Sequence, residues 1–222
     1  MTTKKQIKNL LDTVAARHND LIVRGPFLVL APLRHVLRSI SIDRSSDADH
    51  PSFYWHIGHA FNPFGSLQGL CCDIFWLPKG GPRFWSDVGF TEAFVDTVEQ
   101  RILPMLRRVQ TIDDMFHVEG EPRSFEYDNW LQNYEPYQIH MHAAFGRLDQ
   151  AATIAEKIKN WHLAKNWRQP EFVYANQLGA LVAAGDRKAV IALLHEWEEG
   201  FARKNDLLPI YESTPFPLEL QP

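Results

Sequence analysis

Arg34, His35, Arg38, Asp43 and Arg44 fall within a short span, and Tyr54 and His56 follow on the next extended segment. Guanidinium and imidazole groups brought together hold anions through charge-assisted hydrogen bonds. Alternation along residues 36–43 places Arg38 and Arg44 on the same side as Ile40 and Ile42. A cation beside core residues must reach a carboxylate or the rim of the sheet. One reading is an internal ion pair with Asp43 or Asp73. The other is a ligand-binding rim built from His35, Arg38, Arg44, Tyr54 and His56.

Other chemistry-bearing residues point to less. The chain has ten histidines. His56 and His59 are three apart on an expected strand and so face opposite ways. His140 and His142 are two apart on an expected helix, where a chelating pair needs a spacing of three or four. Asp47, Asp49 and His50 read as a solvated turn. Lys79-Gly80-Gly81 leads to Pro82 and Trp85 instead of into a helix, which makes it a turn and not a phosphate cradle. Asp113-Asp114 reads as a helix cap and Glu198-Glu199 as a solvated helix face. No nucleophile elbow, phosphate-binding Gly-Lys-Ser/Thr loop, Cys-x-x-Cys or His-Glu-x-x-His occurs in the sequence. No metal, cofactor or catalytic residue is expected. Whether the chain is an enzyme stays open, with the balance against it.

Composition narrows the partners. The net charge of −4 comes without a basic stripe, which argues against nucleic acid. No apolar run is long enough to span a bilayer, and Met-Thr-Thr-Lys-Lys opens an amphipathic pattern instead of a signal peptide. Cys71 and Cys72 are adjacent and read as two buried free thiols of a reducing cytoplasm. Seven Trp, six Tyr and fourteen Phe fit a bulky core, a sticky groove or a homodimer interface.

The elements that would position these residues follow from periodicity. Residues 3–18 read as a helix through Ile7, Leu10, Leu11 and Val14. Strands are expected over 27–31, 36–43 and 52–61, the last two forming a hairpin with a polar tip. Leu70–Leu77 is apolar on both faces apart from Asp73 and reads as a central or covered strand. Arg83–Ser86 reads as a short edge strand. Phe90, Phe94, Val98, Ile102, Met105, Leu106 and Val109 mark a helix over 90–109 that Pro104 should kink near its last turn. A short capped helix is expected from Thr111 to near Val118. Gly120-Glu-Pro122 marks a boundary, with helices beyond it over roughly 126–133, 135–145, 148–163, 171–184 and 187–204. The Pro-rich tail carries Tyr211 and Phe216, which should hold it against the body.

A self-similarity organises that second part. Residues 134–162 overlie 173–201 at a shift of 39 without a gap. Ile139 meets Leu178, Ala143 meets Val182, Gly146 meets Gly185, Ala151 meets Val190, Ile154 meets Leu193 and Ile158 meets Trp197. Such a period describes stacked helical hairpins. The Gly146-Arg-Leu-Asp-Gln-Ala151 turn, and its counterpart Gly185-Asp-Arg-Lys-Ala189, resemble the inter-helix turn of tetratricopeptide-type repeats. Residues 1–118 resemble a class of uncharacterised bacterial α+β proteins. That likeness is carried by Leu37-Arg-Ser-Ile-Ser-Ile-Asp-Arg-Ser45, by the aromatic strand after it, and by Phe84-Trp-Ser-Asp-Val-Gly89 before a helix containing Ile102-Leu-Pro104. The likeness implies an immunity-like partner of a toxin and brings no catalytic residues.

Together these readings give an α+β protein: a small antiparallel sheet packed by helices over 1–120, then helical hairpins and a Pro-rich tail over 121–222. The expected function is a cytoplasmic protein-protein interaction module with an unidentified protein partner. The alternatives are an enzyme or anion binder using the sheet rim, and an immunity-type inhibitor.

Overall fold

The structure is a computed structural model that describes residues 2–44, 49–63, 65–68, 71–116, 135–165 and 170–221. Residues 45–48 of the hairpin tip expected over 44–51, the boundary at 120–122 and the expected helix over 126–133 lie outside the described residues.

Helix α1 (Lys4–Ala15) starts at Thr3, which caps it reciprocally with Gln6, and it buries Ile7, Leu10, Leu11 and Val14. Five strands follow as an antiparallel meander: β1 (Leu21–Arg24), β2 (Phe27–Leu30), β3 (Val36–Arg44), β4 (Pro51–His59) and β5 (Cys71–Phe75). Strand β1 was not anticipated. It is only four residues long, set between the end of a helix and a Gly-Pro turn, too short to show alternation. Residues 83–86, expected as a strand, form a turn instead. There Asp87 accepts from the amides of Arg83 at 2.7 Å and Phe84 at 3.0 Å.

Helix α2 (Phe90–Thr97) runs through a π-helical turn (Val98–Ile102) into α3 (Leu103–Arg108). Pro104 offers no N–H to the carbonyl of Gln100. The chain accommodates this by widening one turn upstream, where the Leu103 amide bonds to Val98, instead of kinking in the last turn. The whole expected stripe from Phe90 to Val109 is buried. Of the helix expected from Thr111 to near Val118, the described residues form a 3-10 turn over Asp114–Phe116, with Asp114 accepting from the Thr111 amide at 2.7 Å, and residues 117–118 lie outside them.

Beyond these, the described residues form four α-helices: α4 (Glu135–Ala144), α5 (Leu148–Lys165), α6 (Pro170–Ala183) and α7 (Arg187–Lys204). They form two hairpins in the register set by the sequence repeat. Gly146 and Gly185 both hold positive φ, at 76° and 67°, after α4 and α6. The following amides reach back five residues in both, Arg147 to His142 at 2.9 Å and Asp186 to Leu181 at 3.1 Å, the same helix-ending motif used twice. Ile139 and Leu178 are both fully buried, as are Ala151 and Val190.

Sheet and hairpins share one continuous apolar cluster, running from Ile7 and Leu28 through Phe53 and Phe94 to Ile139, Leu178 and Trp197. A smaller cluster lies on the other sheet face, where Val29, Leu37 and Ala60 meet Phe201, Ala202 and Leu207. Helices α5 and α6 approach closely at Gly179, where a Cβ would sit 2.7 Å from the Ala155 Cβ. Gly179→Val should therefore force the two helices apart and cost about 2–3 kcal/mol, although valine is the better helix former. Chemical denaturation checks this, with Gly200→Val, whose added Cβ meets nothing within 4 Å, as the control.

Candidate functional site

The five rim candidates do not gather at one place. Arg38 lies on the core side of β3, opposite Ile57 of β4. It is buried, its Nη2 donates to the Pro32 carbonyl at 2.7 Å, and its Nε has no hydrogen-bond partner. Burial draws its pKa down to about 10, against the pull of Asp20. The ion pair expected with Asp43 or Asp73 is not formed: Asp43 accepts from the Arg44 amide and Asp73 from the Ile74 amide. Arg44 is exposed at the far end of β3, beside α1.

His35 belongs to a different arrangement. Its Nδ1 lies 2.8 Å from Glu198 Oε1, its Nε2 lies 3.1 Å from both the Pro215 carbonyl and Thr214 Oγ1, and its ring stacks on Phe216 at 4.1 Å. Glu198 is 0% exposed, contrary to the solvated helix face expected for it. The signal was present: Glu198 sits four residues after Leu194 on the buried stripe of α7. Tyr211 donates to Glu198 Oε2 at 3.2 Å, and burial together with that carboxylate pushes its phenol up to about 12. His195 lies 2.7 Å from Glu219 through Nε2. Burial alone would raise the Glu219 carboxyl, but the Phe216 amide and His195 outweigh it and hold the group low. These groups fasten the tail to the body.

Tyr54 and His56 do share a face, the second face of the sheet, with ring centroids 6.2 Å apart. Desolvation lowers the His56 pKa to about 4. The neutral ring and the Ser41 hydroxyl share a hydrogen bond at Nε2, 2.8 Å long. Such a pair is how a hydroxyl becomes a nucleophile, but both side chains are buried and no carboxylate among the described residues orients the imidazole. Ser41–His56 is a buried polar pair within the sheet, and Nδ1 of the ring has no hydrogen-bond partner. Cys72, the cross-strand neighbour of His56, is exposed and free instead of buried as expected. Partial burial and then Asp73 raise its thiol, which keeps it protonated and a weak nucleophile. The side chain of Cys71 lies outside the described residues. No group of three or more His, Cys, Asp or Glu with metal-binding geometry occurs among the described residues.

The feature that composition misled on is β5. Apolar on both faces apart from Asp73, it is expected as a central or covered strand, yet among the described residues it pairs with β4 alone and forms the edge of the sheet. Ile74 is half-buried, and Trp76 just after the strand is 60% exposed. Phe84 and Val88 nearby are 38% and 99% exposed. Between the start of β4 and the segment after β5 lies a groove of about 180 Å³. Pro51, Phe53, Phe75 and Leu77 line it, with Lys79 and Arg83 at its polar side. Natural edge strands are usually short, charged, bulged or covered, because an open edge templates pairing with another chain.

No protein-family model, curated protein or solved structure matches this chain. No helix among the described residues is long and apolar enough to cross a membrane.

Proposed function

We propose that this chain is a protein-binding module that captures an extended segment of its partner along β5. The supporting observation is a strand of central-strand composition at the sheet edge, flanked by exposed Trp76 and an apolar groove. Strand addition satisfies the outer amides and carbonyls of β5, and pockets for alternate side chains supply selectivity. The groove takes one apolar side chain against the stacked rings of Phe53 and Phe75. Trp76, a residue type enriched at binding hot spots, covers the flank. The exposed free thiol of Cys72 fits a cytoplasmic setting.

The reading is tested with a displayed library of random extended peptides. Selected binders should protect the amides of residues 71–76 from hydrogen exchange. Trp76→Glu should weaken them by at least tenfold while leaving thermal stability within a degree or two. Binders whose protection maps to the helical hairpins, or that bind Trp76→Glu equally well, would overturn it.

A further inference from the structure

We propose that a second site, between α1, the β1–β2 turn and the end of β3, binds a small amphipathic anion: a carboxylate carrying an aliphatic or aryl body. A cavity of about 360 Å³ opens there, within the size range of small-molecule sites. Its floor is apolar, made by Ile7 of α1 and Ile42 of β3, with Pro26 of the turn as a wall. Its rim is cationic, with Lys4 and Lys8 on one side and Arg44 on the other.

Charge bookkeeping favours an anion. Lys8 already pairs with Asp12, and the one carboxylate in the lining, Asp43, accepts from the Arg44 amide at 2.8 Å. Lys4 and Arg44 have no carboxylate partner among the described residues. Three cations against one carboxylate line this cavity, in a protein whose overall charge is −4. An incoming carboxylate would find two unpaired cations above a surface that favours hydrocarbon, so head and body are both accommodated.

The walls are held in place without a ligand. Thr3 and Gln6 lock the start of α1 through bonds of 3.1 Å and 2.9 Å. The Ile42 amide donates to the Pro26 carbonyl at 3.2 Å, which ties the turn to β3. At Gly25 a Cβ would meet nothing within 4 Å, so the mouth is open at the turn. The cavity is therefore preformed, and binding requires little ordering.

The experiment is a titration of the intact chain, followed by amide chemical shifts, with three probes: decanoate, decyltrimethylammonium and acetate. Decanoate should saturate, shift the amides of residues 4–8, 25–26 and 42–44, and bind at least tenfold more tightly than either other probe. Lys4→Glu with Arg44→Glu should lower decanoate affinity at least tenfold while the amide spectrum elsewhere superimposes. Lys4→Gln with Arg44→Gln provides a milder pair for the same comparison. Equal binding of decyltrimethylammonium would show a merely greasy surface and overturn the proposal. So would unchanged affinity in both double variants, shifts confined to the β5 edge, or no saturable binding. Trp76→Glu should leave decanoate binding intact, so this site and the edge-strand reading fail separately.

Discussion

Lowering the pH from 7.5 to 4.5 should unfold this protein, and buried imidazoles should be the main cause. His56, His59 and His140 are all buried, and desolvation lowers each from an ordinary 6.5. His56 falls to about 4 and His140 to about 3, while His59 is held well below its usual range, with His140 as a second cause. Neither nitrogen of His59 or His140 has a hydrogen-bond partner, and their rings lie 5.9 Å apart. Below pH 6.5 the unfolded chain takes up protons that the folded chain refuses. The stability these groups permit is thus complete above that pH and drains away as pH falls toward their folded values. Near pH 5 each imidazole removes about 1.4 kcal/mol per pH unit, an accumulated loss of about 2 kcal/mol each. Three together cost about 6 kcal/mol there, comparable with the whole stability of an ordinary domain. Carboxylates act in the same direction further down: Asp20, held low chiefly by its hydrogen bonds to Arg107, loses its contribution as pH falls below the ordinary carboxylate range. Urea midpoints measured from pH 7.5 to 4.5 test this. His140→Phe should reduce the slope near pH 5 by about a third, and a flat profile would show that these imidazoles are hydrated in solution.

The second large effect lies at the His35–Glu198 contact. His35→Ala should cost about 3–5 kcal/mol, because it leaves a fully buried carboxylate with only the Tyr211 hydroxyl at 3.2 Å and the His195 ring at 4.0 Å. The stack on Phe216 is lost with it. Glu198→Gln, which removes the charge, keeps an oxygen acceptor for one neighbour and turns a donor toward the other, should cost about 1–2 kcal/mol. Replacing both His35 and Glu198 by leucine should cost less than the two single changes summed, since no charge is then stranded. Hydrogen exchange locates the damage: in His35→Ala the amides of Leu33 and Glu212, which bond to Ile210 and Leu33, should exchange first. A loss under about 1 kcal/mol for His35→Ala would mean that the carboxylate is reached by solvent.

Much of this architecture can be read in the residues because helix faces and strand faces leave periodic traces. The 39-residue echo predicts two hairpins turning at Gly146 and Gly185, and both glycines hold the left-handed conformation such turns require. The stripe from Phe90 to Val109 places α2 and α3, although nothing in it announces the π turn. What resisted reading is whatever depends on distant chain. The sheet position of β5 is set by what β4 leaves unpaired, and no property of residues 71–75 reveals that. Arg38 and Glu198 look alike as charges on apolar stripes, yet one ends on a carbonyl and the other on a histidine 163 residues away. The rim set was legible as an oddity, but its members divide between two faces and two ends of the sheet. Of the five, Arg44 alone lines one of the cavities discussed above.

The tail has a consequence for how the protein is made. Its residues reach back across most of the chain: Arg24 bonds to the Asp206 carbonyl, Arg34 to Glu212, and Gln221 to the Phe145 carbonyl, with separations of 182, 178 and 76 residues. A ribosome adding about 5–20 residues per second delivers the first three strands many seconds before the segment that clasps them. During that interval the second sheet face around Val29 and Leu37 awaits its cover from Phe201 and Leu207, so the nascent chain carries a sticky surface that holdase chaperones would recognise.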